Sequence, residues 1–153
     1  MALRPGIYRI ETVPPPGPPP DLAVGIDDYT PVRAFPSYKP VPPQGIREWR
    51  VARAPGYEDQ YVIISPGFSP RPRAWGRAED IPRPDEPVLL TDAIKSWDIR
   101  RSEDNTYVIS VPNQPPGDTW AVTVKDGDLI TRPYPVVPGI EPPCWQFIPI
   151  RID

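Results

Sequence analysis

The sequence contains no histidine and only one cysteine, Cys144. Without histidine it lacks the commonest general base and the usual partner of a serine or cysteine nucleophile. A single cysteine allows neither a disulfide within the chain nor a Cys/His zinc cluster, and its setting between Pro143 and Trp145 is typical of a structural thiol. A Gly-rich phosphate loop followed by Lys and Ser or Thr is also missing. We therefore expect no catalytic residues, no metal and no cofactor, and hence no enzyme.

The chain also lacks an excess of basic residues and any long apolar run. Its formal net charge is −3 and its pI is about 5.0, which argues against a nucleic-acid partner. No apolar stretch approaches the ~20 residues that a membrane helix needs. Residues 1–6 have no apolar segment of the kind that a secretory signal contains. We expect a protein that binds neither nucleic acid nor membranes and that is cytoplasmic or non-classically secreted.

Proline is abundant instead, with 28 residues beside 10 glycines. Such a content approaches that of disordered chains, but five tryptophans and seven tyrosines argue against disorder. The prolines cluster between short apolar runs, where they cannot interrupt a sheet ladder. This pattern predicts short strands joined by stiff loops.

Two aromatic patterns recur along the chain. A Tyr-x-Ile run occurs three times, at Tyr8, Tyr61 and Tyr107, and three of the five tryptophans recur at intervals of 48 residues, at Trp49, Trp97 and Trp145. Each run alternates like a half-buried strand, so these six residues are expected mostly in the core. Two weaker strands per repeat are predicted at 22–25, 73–76 and 119–122, and at 30–33, 86–89 and 128–131. Asp126-Gly127, between the predicted strands 119–122 and 128–131, is typical of a hairpin turn.

Threefold repetition of four strands predicts an all-β protein with the β-trefoil fold, with twelve strands in three four-stranded repeats. We expect residues 1–153 to form a single domain, a six-stranded barrel capped by three hairpins. An immunoglobulin-like sandwich is the alternative, but sandwiches do not place tryptophan at equal intervals.

Function in such a fold is expected in the loops. Four Pro-rich loops stand out, at residues 13–21, 35–45, 65–73 and 134–143. Proline removes conformational freedom before binding, so that less entropy is lost on docking. Several basic residues directly precede proline, which makes them poor trypsin sites. The loops therefore suit insertion into a protease cleft, and a polyproline ligand for an SH3-like partner is the alternative.

Five stretches of the chain together resemble the mycocypins, a family of mushroom protease inhibitors that includes macrocypin and clitocypin. These stretches are residues 6–10, 46–53, 60–63, 132–138 and 145–148. They are also similar to the related mycospins, which inhibit serine proteases. The resemblance spans nearly the whole chain as a pattern, although no single motif in it is highly specific. It implies a β-trefoil fold and tight, reversible inhibition of proteases.

In mycocypins, two neighbouring loops block papain-like cysteine proteases, and these correspond here to residues 14–21 and 37–44. The resemblance implies nine contact residues: Pro18, Pro19, Pro20, Asp21, Ser37, Tyr38, Lys39, Pro40 and Val41. The first loop departs from the family, because Pro-Pro-Asp-Leu replaces its paired glycines. A third loop, here residues 66–73, inhibits legumain when it carries Asn and trypsin when it carries a basic residue. It has no Asn, so Phe68, Arg71 and Arg73 are expected contacts to a trypsin-like serine protease.

We therefore expect a monomeric protease inhibitor whose first targets are papain-like cysteine proteases. One alternative is inhibition of trypsin-like serine proteases through a basic loop residue. Another is a carbohydrate-binding β-trefoil lectin, in which surface Trp75 and Trp120 could stack on a sugar. The Gln-x-Trp signature of ricin-type lectins is, however, absent.

Overall fold

The computed structural model describes residues 3–14, 16–67, 72–102 and 105–153, which contain strands and no helix. Accordingly, these residues include no helix of the length and apolarity that a membrane crossing needs. The strands are β1 (Gly6–Thr12), β2 (Asp21–Val24), β3 (Arg33–Pro36), β4 (Trp49–Arg53), β5 (Gln60–Ile64), β6 (Ala74–Gly76), β7 (Glu86–Pro87), β8 (Leu89–Thr91), β9 (Trp97–Arg101), β10 (Thr106–Ser110), β11 (Asp118–Lys125), β12 (Asp128–Pro135) and β13 (Trp145–Ile152).

Six of these strands close into a barrel. The antiparallel pairs are β1–β4, β4–β5, β5–β9, β9–β10, β10–β13 and β13–β1, so that the ring has no open edge. They are the first and fourth strands of each repeat, the ones that carry the Tyr-x-Ile runs and the tryptophans. The predicted barrel is confirmed.

The inner strands of each repeat form a hairpin, namely β2–β3, β6–β8 and β11–β12. A closed cycle of backbone hydrogen bonds joins the three hairpins. The N–H of Val32 donates to the carbonyl of Val88 over 2.8 Å, Val88 to Leu129 over 2.9 Å, and Leu129 back to Val32 over 2.8 Å. The cycle relates three equivalent residues by a pseudo-threefold axis. The architecture is the predicted β-trefoil.

The three regularly spaced tryptophans are buried and make equivalent hydrogen bonds. Each Nε1–H donates over 3.0 Å to a carbonyl on the second strand of its own repeat: Trp49 to Ala23, Trp97 to Trp75 and Trp145 to Val122. A buried indole N–H without a partner would destabilise the fold. These bonds therefore allow three large side chains to fill the core and confirm the predicted role of the tryptophans.

The tyrosines occupy the core less uniformly. The hydroxyl groups of Tyr8 and Tyr61 donate to the carbonyls of Arg4 and Leu3 over 2.5 and 2.9 Å, and burial raises the pKa of both phenols. Tyr107 is only half-buried, and its ring meets Phe147 edge-on. The core prediction is thus confirmed for the first two tyrosines and in part for the third.

The hairpin strands depart from their predicted bounds. The strand expected at 86–89 is divided into β7 and β8, because Val88 between them uses its N–H and its carbonyl in the cycle that joins the hairpins. The structure therefore has thirteen strands in its described residues rather than twelve. The strand expected at 30–33 begins only at Arg33, whereas the predicted turn at Asp126-Gly127 is confirmed with φ of 53° and 82°.

Trp75 is completely buried, so the expectation that it lies on the surface is wrong. Its ring packs edge-to-face between Trp49 and Trp97, with centroid separations of 5.7 and 6.4 Å. The pseudo-threefold axis places it where the other repeats have Ala23 and Val122, both of which face the core. A sugar cannot stack on this side chain in the folded protein.

Candidate functional site

Two of the Pro-rich loops lie side by side at one edge of the first repeat. We call residues 13–20, between β1 and β2, the first loop, and residues 37–48, between β3 and β4, the second loop; Pro15 lies outside the described residues. The N–H of Ser37 donates to the carbonyl of Pro20 over 3.1 Å, directly beyond the β2–β3 pair formed by Asp21 and Pro36. The two loops therefore leave the same end of one hairpin and form a continuous surface.

The second loop is held at both ends by backbone hydrogen bonds. At its start, the N–H of Lys39 donates to Pro36 over 3.0 Å. At its end, Gly25 and Ile46 exchange two bonds of 2.9 and 2.7 Å, and Gly45 donates to Pro42 over 2.8 Å. The loop is therefore fixed to the hairpin it follows and to Gly25, the residue directly after β2.

All nine residues expected in these loops are described, and five of them, Pro20, Ser37, Lys39, Pro40 and Val41, line one groove. Six of the nine are exposed, among them Tyr38 with 70% of its surface accessible: Pro18, Pro19, Ser37, Tyr38, Lys39 and Pro40. The half-buried residues are Pro20, Asp21 and Val41. The exposed set forms a mainly uncharged ridge with a single cation at Lys39.

A groove of about 450 Å³ runs below this ridge. Besides Pro20, Ser37, Lys39, Pro40 and Val41, four charged residues line it: Arg9, Glu11, Arg47 and Glu48. Sequence reasoning missed these four. The alternation of strand β1, which buries the residues on either side of Arg9, could have indicated that its charged residues face outward.

The third loop, residues 66–73, contains two expected contacts, Phe68 and Arg71, that lie outside the described residues. The third expected contact, Arg73, is half-buried and binds residues of the first repeat. Its Nε lies 2.6 Å from Oδ1 of Asp28, and its Nη2 donates to the carbonyl of Ile26 over 3.4 Å. The N–H of Ser65 donates to the carbonyl of Arg73 over 2.7 Å, and the N–H of Arg73 donates to Oγ of Ser65 over 3.2 Å, which closes the base of this loop.

A family model described as "Peptidase inhibitor clitocypin" matches residues 22–147. The chain belongs to the clitocypin family of peptidase inhibitors. The match includes the second loop, the third loop and, apart from Asp21, all three hairpins. As a clitocypin-family member the protein is an inhibitor with proteases as its partners, and not an enzyme.

Solved structures show the same fold for this clitocypin-family chain. "Crystal structure of designed 3-fold symmetric protein, ThreeFoil" aligns with a TM-score of 0.65 at 11% identity, over 95% of this chain and 99% of that one. "Crystal structure of Cry35Ab1" aligns with a TM-score of 0.64 at 16% identity, over 97% of this chain but only 36% of that one. A comparison with curated protein sequences found no match.

Proposed function

We propose that this clitocypin-family protein inhibits papain-like cysteine proteases by placing the first and second loops together in the active-site cleft. The observation that carries the proposal is the hydrogen bond from Ser37 to Pro20, which joins the two loops into one surface before any partner binds. Preorganised loops lose little entropy on docking, so more of the contact energy contributes to affinity. We further propose that one monomer forms a one-to-one complex with the protease.

Proline supports this mode of inhibition. The first loop contains six prolines in eight residues, and the second loop contains three more. Each fixes its own φ and restricts the residue before it. The loops can therefore occupy a cleft in an extended form, with few alternative conformations to lose.

The loops also resist cleavage in the position that we propose. The peptide bonds within Pro18-Pro19-Pro20 and the bond from Lys39 to Pro40 have tertiary amide nitrogens with restricted geometry. Inhibition then requires no covalent reaction with the protease. It requires only that loops which are poor substrates fill the active-site cleft of the protease. Tyr38 and Lys39 are the exposed side chains best placed to enter subsites.

A trypsin-like target is supported less well by the described residues. Arg73 would have to give up its 2.6 Å ion pair with Asp28 before it could enter a specificity pocket. In a trypsin assay we expect the Arg73→Ala variant to behave like the unchanged protein. Arg71→Ala then tests the remaining basic residue of the third loop.

The first experiment titrates the purified protein against active-site-counted papain and trypsin in parallel. Replacing Pro18, Pro19 and Pro20 by glycine should raise the papain inhibition constant roughly thirtyfold, because about 2 kcal/mol of preorganisation is lost. The matched control replaces Pro115 and Pro116, which are exposed in the corresponding loop of the third repeat, and should leave the constant unchanged.

Three outcomes decide between the targets. Papain inhibition that weakens only in the first-loop variant supports the proposal. Trypsin inhibition without papain inhibition rejects it in favour of the third loop. Papain inhibition that both proline variants leave unchanged places the contact outside the first loop. Light scattering on the mixture with papain measures the proposed one-to-one stoichiometry.

A further inference from the structure

A second groove, of about 550 Å³, lies beside the hairpin of the third repeat, and protease inhibition by the first repeat does not use it. Its lining includes polar side chains from three barrel strands, namely Gln60, Asp98 and Ser110. Asn113 from the loop after β10 and the half-buried Trp120 complete this set. A groove that combines an aromatic surface with converging polar groups is the usual form of a small-ligand site.

Three of these polar residues form a row across adjacent strands. Asp98 on β9 lies directly opposite Gln60 on β5 and opposite Ser110 on β10. Only 7% of Gln60 and of Ser110 is exposed, and only 16% of the Asp98 side chain. Removing a carboxylate from water to this extent destabilises a protein unless hydrogen bonds compensate.

The hydrogen bonds that would compensate are missing among the described residues. The nearest cation to the Asp98 carboxylate is Nη2 of Arg100 at 4.0 Å, and no described donor makes a hydrogen bond to it. The hydroxyl of Ser110 likewise has no hydrogen bond to the described residues. Gln60 accepts a bond from Ser96 over 3.2 Å, and its amide nitrogen makes only a long 3.5 Å contact with Asn113.

The fold itself does not require this row. The pseudo-threefold axis relates it to two other rows, Ile7-Arg50-Ile64 and Thr106-Gln146-Glu11. The residue that corresponds to Asp98 has a partner in both: Arg50 pairs with Asp153 at 3.0 Å, and Gln146 donates to Thr12 over 3.4 Å. A carboxylate that accepts no hydrogen bond from the described residues is thus a property of this groove and not of the barrel.

We propose that this groove binds a carbohydrate. The hydroxyl groups of the sugar donate to Asp98 and exchange hydrogen bonds with Ser110 and Asn113. The apolar face of the sugar ring packs on Trp120. Each sugar hydroxyl is both donor and acceptor, which matches a set that contains a carboxylate, a hydroxyl and amides. A bound cation would use only the acceptors. The Nε1–H of Trp120 has no hydrogen bond to the described residues and provides a further donor.

The test places the fluorescently labelled protein on an array of protein-linked and cell-wall glycans. The same protein is titrated in solution with cellotriose, mannotriose and triacetylchitotriose, while the NMR signal of the Trp120 Nε1–H is followed. Binding of ribonuclease B but not of its unglycosylated form A would identify the source as protein-linked glycans. Binding of free trisaccharides alone would identify the source as soluble or cell-wall sugars.

Asp98→Asn keeps the shape of the side chain but removes the charge, and should weaken sugar binding about tenfold or more. Ser110→Ala should weaken it by a smaller factor. The matched control is Glu11→Gln, the same exchange in the groove of the first repeat, and it should retain full affinity. Papain inhibition should be the same in the Asp98 variant, so that failure of the two proposals can be distinguished.

The proposal is overturned if the array shows no ligand and if a concentration of about 10 mM of each trisaccharide, ten times a Kd of about 1 mM, leaves the Trp120 signal unmoved. It is also overturned if a sugar binds with the same affinity to the Asp98→Asn and Ser110→Ala variants. Loss of binding in Asp98→Asn with retention in Glu11→Gln supports it.

Discussion

Oδ1 of Asp85 lies 2.6 Å from Nε of Arg132, and this contact joins the second repeat to the third. Nζ of Lys125 approaches the other carboxylate oxygen to 2.8 Å. The backbone of Asp85 is fixed as well, because its N–H donates to Thr131 over 3.0 Å and its φ of 62° lies in the left-handed region that Asp and Asn tolerate best.

Asp85 should make the stability of the protein depend on pH in the acid range. Hydrogen bonds from Arg132 and then from Lys125 lower the pKa of its carboxyl to about 2, against about 3.9 in an unfolded chain. Because the folded pKa is the lower one, the carboxylate stabilises the fold above about pH 4, and this contribution is lost as the pH falls towards about 2.

The measurement is a carboxyl NMR titration together with thermal unfolding between neutral and acid pH. The Asp85→Asn variant keeps the left-handed backbone favourable but cannot ionise. It should unfold at a lower temperature than the unchanged protein at pH 7, and this difference should be nearly gone at about pH 2, where most of the stabilising contribution of the ionised carboxylate is lost. A titration midpoint for Asp85 in the ordinary range would contradict the ion-pair geometry.

Asp98 should have the opposite effect. Burial is the main cause that raises the pKa of this carboxyl; the charge of Arg100 opposes it and that of Asp59 adds to it. A folded pKa above the unfolded one means that the ionised side chain destabilises the fold at neutral pH, and that stability is regained as the pH falls through the folded pKa. Asp98→Asn should therefore raise the melting temperature at pH 7.

The increase in melting temperature of the Asp98→Asn variant over the unchanged protein should be smaller at about pH 3, where Asp98 is mostly protonated in both folded and unfolded chains. A thermal shift assay at the two pH values measures the difference, with Glu11→Gln as the control. A melting temperature that falls in the Asp98→Asn variant would show that the carboxylate has a stabilising partner. A rise would fit a residue retained for binding at a cost in stability.

Trp97 should be among the most sensitive core positions. Trp97→Phe removes the 3.0 Å hydrogen bond to the carbonyl of Trp75, leaves that carbonyl unsatisfied and opens space in the core. We expect a loss of at least about 2 kcal/mol in the free energy of unfolding, measured with denaturant. Trp120→Phe is the control, since Trp120 is half-buried and makes no such bond, and an equal loss in both variants would contradict the prediction.

The barrel could be predicted from the sequence because its signals are local. Alternation around Tyr8 and Tyr61 and the even spacing of the tryptophans depend only on residues within one strand or at one interval. The hairpin strands could not be bounded in this way. Their ends are set by bonds among Val32, Val88 and Leu129, which lie in three different repeats.

The candidate sites show the same difference between features that a local sequence pattern predicts and features that depend on distant residues. The two loops of the first repeat were expected together from the family resemblance, and the hydrogen bond between Ser37 and Pro20 joins them. The ion pair of Arg73 with Asp28 spans 45 positions of the chain, and no local pattern marks it. The row through Asp98 depends on the register of three strands, because a shift of one residue would turn every side chain to the other face.

Gly45 provides a test of how strongly inhibition depends on the shape of the second loop. A Cβ atom at this position would lie 2.6 Å from Cγ1 of Val41 and 3.0 Å from the carbonyl oxygen of Pro42. Valine is stiff at χ1 and the carbonyl belongs to the backbone, so the loop itself must move. Gly45→Ala should therefore displace the exposed tip that contains Tyr38 and weaken papain inhibition about tenfold or more.

Gly67→Ala is the matched control, because a Cβ atom there meets no atom of the described residues within 4 Å and the residue has no positive φ. The control should inhibit papain as tightly as the unchanged protein and melt at nearly the same temperature. Gly45→Ala should lose about 1–3 kcal/mol of stability through strain while remaining folded at 25 °C. If Gly45→Ala loses stability but inhibits papain with an unchanged constant, the second loop does not enter the cleft, and the contact must then be made by the first loop or by another surface.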